Sequence, residues 1–135
     1  MSKPFEVMTK DLTEQIQRSY EEGVTIDEAE RLAAKFLHAQ ILISGELRTV
    51  DLDARMKKTG VKAVKAAVYL AEVQAVERKP SDVLLSAKVD VSEEVEVAQR
   101  ELDTAEVYRD ELQNYFNVFR EAHIHFRGIS KGKFE

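Results

Sequence analysis

"IDEAERLAAKFLHAQILISGELRTVDLDARMKKTGVKAVKAAVYLAEVQA", residues 26–75, decides the fold. Apolar residues recur through it at alternating steps of three and four. They run from Ile26, Ala29, Ala33 and Phe36 through Ile43, Leu47, Val50, Ala54, Val61, Val64 and Val68 to Ala71 and Ala75. Thirteen of the fifteen seam positions are apolar, the exceptions being Gln40 and Lys57. That period is the signature of a helix with one buried face. Gly45 and Gly60 fall inside the run without shifting its phase, whereas a loop at Gly60 would have broken the register. The stretch therefore predicts one long helix over about 26–79, with Gly60 the place for any kink. Fifty residues at a rise of about 1.5 Å make a rod of ~75 Å, too long for a compact monomer of this size. A heptad seam that long calls for partner helices, so a coiled-coil-like homo-oligomer is expected.

On the N-terminal side, Gly23 ends a shorter helix over about 4–22, whose Phe5, Met8, Leu12, Ile16 and Tyr20 share a face. Thr25 with Glu28 three positions on is a capping box for the long helix. On the C-terminal side, "ERKPSDVLLSAKVDVS", residues 77–92, reads as a connector, because Pro80 disfavours helix in the residue before it. Asp90 or Ser92 caps the next helix, expected over about 92–126 with Val95, Ala98, Leu102, Ala105, Leu112, Phe116, Phe119 and Phe126 on its apolar face. Residues 127–135, with two glycines, read as a loose tail. Five glycines and two prolines in 135 residues leave too few turn signals for a strand-rich fold. The expected class is all-α: a long antiparallel hairpin with a short N-terminal helix, in one domain spanning residues 1–135.

Composition narrows the setting. A hydrophobic share of 44% beside 33% charged residues belongs to an ordered protein, not a disordered one. There is no cysteine, which fits a reducing cytosol and excludes disulfide and thiolate chemistry. "MSKPFEVMTK" lacks the apolar core of a signal peptide, and no window approaches 18 apolar residues. A cytoplasmic protein without a membrane partner is expected.

Charge sorts into blocks. Net charge is −5 over residues 1–54, +5 over 55–79, −7 over 80–119 and +2 over 120–135. Within the basic block Arg55, Lys58, Lys62 and Lys65 repeat at three and four, one position beyond the apolar seam, with Arg48 a heptad earlier. Two readings of this stripe stand side by side. One is a solvated helix face whose cations pair with the acidic helix of the same or a neighbouring subunit. The other is a phosphate track, in which cations on one helical line displace counterions from a nucleic-acid backbone and apolar or aromatic neighbours such as Tyr69 hold single-stranded bases. A second basic patch, "REAHIHFRG", interleaves Arg120 and Arg127 with His123, His125 and Phe126, and is expected to join the same surface.

Catalysis finds little support. His123 and His125 are two apart, so on a helix they point about 200° from one another and cannot share a metal. His38 stands alone beside the seam. Glycine-rich phosphate loops and His-Glu-x-x-His motifs are absent. Glu93, Glu94 and Glu96 suit an exposed helix N-terminus favoured by the macrodipole. No catalytic residue, cofactor or metal site is expected.

Val64-Lys65-Ala66-Ala67-Val68-Tyr69-Leu70 resembles the Leu-Lys-Ala-Arg-Leu-Asp-Tyr element of the UvsY-like recombination mediators of T-even-type phages. "REAHIHFRGI" looks like that family's Lys-x-Arg-Gly-Phe-x-Ile-Lys ending, with Arg120 and Arg127 at its terminal cations. Lys65 is the matching charge of the first element, where Ala67, Tyr69 and Leu70 replace its arginine, aspartate and tyrosine. The resemblance implies a non-catalytic mediator that binds single-stranded DNA as a ring-like homo-oligomer. It further implies loading of a RecA-type recombinase onto DNA covered by a single-strand-binding protein, in the cytoplasm of an infected bacterium. The alternative is a helical structural or protein-interaction module, a virion component or an inhibitor of a host factor, with no nucleic-acid binding.

Overall fold

The computed structural model describes residues 3–75 and 81–132. Among them are four helices and no strand: α1 (Lys3–Glu22), α2 (Ile26–Gln74), α3 (Asp82–Asp90) and α4 (Glu93–Ser130). The all-α class and the α2–α4 hairpin are as the periodicity requires. By compactness the chain divides into two units, Met1–Arg48 with Asp110–Glu135, and Thr49–Arg109.

The local signals act where the sequence places them. Gly23 takes φ +75, a left-handed conformation open to glycine at low cost, and its N–H donates to the Ser19 carbonyl at 2.8 Å to close α1. The capping box forms: the Glu28 N–H donates to Thr25 Oγ1 at 3.2 Å, and the Thr25 N–H to Glu28 Oε2 at 3.4 Å. Of the two candidate caps for α4, Ser92 serves, accepting the Val95 N–H at 3.2 Å. Gly45 and Gly60 lie within an unbroken α2, and neither would meet an atom within 4 Å if it carried a Cβ.

In the first unit α1 lies beside both long helices. It buries Thr9 and Leu12 and lines open grooves with Leu32 of α2 and with Val118 and Phe126 of α4. The core is aromatic. The Phe36 ring stacks on Phe126 at 5.6 Å between centroids and meets Phe119, tilted, at 5.4 Å. Such pairs add about 0.5–1.5 kcal/mol beyond the area they bury. His123 Nδ1 lies 2.8 Å from the Ala33 carbonyl oxygen. A carbonyl only accepts, so the ring proton sits on Nδ1, and the imidazole ties α4 to α2.

The second unit is held by Val50, Ala54 and Val61 of α2 with Val95, Leu102 and Ala105 of α4, all buried. Arg109 of α4 lies 3.9 Å from Asp51 of α2.

Four expectations change. The connector over 77–92 holds a helix, α3, whose N-cap Ser81 accepts the Leu84 N–H at 3.2 Å and which buries Leu85 and Val89. Nine residues are too short for periodicity to separate from a loop, so the Ser81 cap was the readable signal. The helix expected to reach 79 is described to Gln74, and residues 76–80 lie outside the described residues. Part of the tail read as loose is helical, since α4 continues through Ser130 and Gly132 at φ +70 follows it. Tyr20, placed on the packed face of α1, is 91% exposed.

The seam itself is buried from Ala29 to Val61 apart from half-buried Leu47 and Lys57. Helices of the same chain cover this part of it; outside it Val64 and Val68 are half-buried and Ile26, Ala71 and Ala75 are exposed.

Phe119→Ala is expected to cost about 3–5 kcal/mol, because it opens a cavity against Phe36; urea unfolding followed by circular dichroism measures it. Gly60→Ala is expected to raise stability by about 0.5–1 kcal/mol in the same assay. A loss on Gly60→Ala would show that the helix does not run through that residue.

Candidate nucleic-acid interface

Helical geometry puts Arg55, Lys58, Lys62 and Lys65 on one line of α2, about 100° round from the buried seam. The structure gives them different surroundings. The Arg55 side chain is 76% exposed and pairs with Asp51 one turn earlier at 3.0 Å. Lys65 is half-buried and lies 3.7 Å from Asp90, the last residue of α3. Lys58 and Lys62, between them, are exposed and have no ion-pair partner among the described residues. Acids thus hold both ends of the line while its centre stays open.

Asp51 and Asp90 are the residues that sequence reading overlooked. Asp51 precedes Arg55 by four positions, a spacing that pairs opposite charges on a helix and was legible. Asp90 depends on α3 and was not.

The remaining two candidates, Arg120 and Arg127, belong to the first unit. Seven residues apart on α4, they share a line, both exposed, with Arg120 lying 3.8 Å from Glu121. The expectation that they join the α2 stripe on one surface concerns residues of different units, and the line on α2 is described by itself.

Beyond the cation line lies a face that sequence reading did not single out. Leu52, Met56, Thr59, Ala63, Ala66 and Leu70 also repeat at four and three, two positions after the seam and so about 200° round from it. None is charged. All are exposed, Leu52 at 60% and Met56 at 65%. The second half of α2 therefore has three lengthwise zones: a buried seam, a cationic flank and an uncharged outer stripe.

Among the described residues no group of three His, Cys, Asp or Glu is placed to hold a metal ion. No helix there is long and apolar enough to cross a membrane. Comparison with protein-family models, curated proteins and solved structures gives no match.

The pairs at the ends of the line are solvent-exposed, and such pairs contribute about 0–1 kcal/mol each. Asp51→Asn, which removes the carboxylate from both Arg55 and Arg109, is expected to lower stability by no more than about 2 kcal/mol in urea unfolding. A substantially larger loss would make these arginines structural and remove Arg55 from the candidate interface.

Proposed function

We propose that this chain is a non-catalytic module that binds single-stranded DNA without sequence preference along Arg55, Lys58, Lys62 and Lys65. The observation that carries the reading is the open centre of the line, where Lys58 and Lys62 are exposed and have no ion-pair partner among the described residues. Unpaired ammonium groups are hydrated and surrounded by mobile anions, and a phosphate backbone displaces those ions with a gain of entropy. The adjoining uncharged stripe offers Met56 and Leu70 as apolar surface for unstacked bases, and Tyr69 supplies an aromatic ring beyond Lys65. Arg120 and Arg127, in the first unit, are further candidates for phosphate contacts.

The role within DNA metabolism rests on the resemblance to UvsY-like mediators. On that reading the chain assists loading of a RecA-type recombinase onto DNA covered by a single-strand-binding protein, in the cytoplasm of an infected bacterium. The same resemblance implies a homo-oligomer. The second reading, a helical protein-interaction module that binds no nucleic acid, is favoured by the exposure of Leu52, Met56 and Leu70 on the same helix.

Binding of a labelled single-stranded oligonucleotide across a salt series separates the two. Four phosphate contacts at ~0.7 each give a log–log slope of roughly −3. Replacing Lys58, Lys62 and Lys65 together by Ala is expected to weaken binding and reduce the slope to about −1, with helicity retained because alanine is the best helix former. An unchanged slope in this variant would leave the line as a solvated face and favour the second reading.

A further inference from the structure

The outer stripe of α2 in the second unit has a cationic flank, and α4 of the same unit has its electrostatic counterpart. Around α4, Glu96 and Asp103 each lie one position, about 100°, beyond the buried Val95 and Leu102. Both are exposed, and their spacing of seven equals that between Arg55 and Lys62. Next to them, on the side of α4 away from its core, are exposed Val97, Thr104 and Val107. Each helix therefore carries an outer strip with a charged line along one edge, positive on α2 and negative on α4; the strip is uncharged on α2 and interrupted by exposed Arg100 on α4.

We propose that this face of α2 receives α4 of a second copy of the chain. Packed antiparallel, the two lines run against each other with Arg55 opposite Asp103 of the second copy and Lys62 opposite its Glu96. That register sets Leu52 beside Thr104 and Thr59 beside Val97, and it lays Met56 along the stem of Arg100. Both charge pairs are satisfied in this register, which also sets Lys58 opposite Arg100, a like pair that works against them. On the opposite edge Asp53 meets Glu101, a like pair that Lys57, 3.0 Å from Asp53, eases without cancelling. The contact is accordingly weak, reversible and dependent on salt.

Because the two faces differ, the contact is heterologous. The α2 and α4 strands of each hairpin are antiparallel, so docking α4 antiparallel on the next α2 leaves successive copies pointing the same way. Every added copy leaves one α2 face and one α4 face open, and assembly continues or closes on itself. This inference goes beyond the DNA reading and stands if no DNA is bound. It uses Arg55 and Lys62, so where DNA does bind, a second copy and the phosphate backbone compete for the same cations.

A charge-swap experiment on the full chain tests it. Light scattering across micromolar concentrations is expected to give a mass that rises above 15.4 kDa with concentration and falls with added salt. Arg55→Glu with Lys62→Glu, and separately Glu96→Lys with Asp103→Lys, are each expected to weaken association by about tenfold or more. An equimolar mixture of the two variants presents opposite charges at every contact and is expected to associate like wild type, which also shows that both are folded. A mass of 15.4 kDa for wild type at every concentration overturns the proposal, as does failure of the mixture to recover. Single-stranded oligonucleotide added to wild type reports on the DNA reading independently: a drop in assembly mass shows competition, while the swap decides the protein contact with or without it.

Discussion

Phe36 of α2 lies against Phe119 and Phe126 of α4, with centroids 5.4 and 5.6 Å away, and all three rings are shielded from water. The His123–Ala33 hydrogen bond and the buried Leu12 of α1 belong to the same unit. Once the phase of α2 is set at Phe36, helical geometry carries that phase along the rod to Ile43, Val50, Ala54 and Val61. The seam is therefore one constraint expressed over many turns, and it also decides which side chains are left outside.

Those left outside fall into zones. A residue one position beyond the seam is about 100° away and stands at the edge of the packed face; one two positions beyond is about 200° away and faces solvent. Cations occupy the first set and uncharged residues the second. The result is a helix with a basic edge and an apolar back, a combination suited to a partner that is itself charged along one side. A single-stranded nucleic acid has that character, with phosphates on one side and bases on the other. An acidic amphipathic helix has it too. The acids at the ends of the cation line, Asp51 and Asp90, leave Lys58 and Lys62 as its part without an ion-pair partner among the described residues.

The acidic net charge is compatible with such a line. Much of the negative charge sits on the outer side and first turn of α4, where Glu93, Glu94 and Glu96 complement the helix macrodipole. Potentials near a surface follow local patches, and at physiological ionic strength charges more than about 8 Å apart are largely screened. A line of lysines on α2 is felt by a ligand at that line.

The sequence by itself determined the helical class, the caps at Gly23, Thr25 and Ser92, the buried face of α2 and its continuity through both glycines. These depend on residues within a turn or two of one another, where period and side-chain chemistry decide the outcome. It also placed the cations on a line, because a line on a helix is only spacing. What covers the seam was decided by tertiary structure. Periodicity says that a face must be buried and is silent on whether the covering helix belongs to the same chain; between Ala29 and Val61 α4 of the same chain packs on it. The same holds for α3, for Asp90 beside Lys65 and for the exposure of Tyr20. Each depends on residues far apart in sequence meeting in space, and that meeting follows from how three-dimensional surfaces fit, which local spacing does not encode.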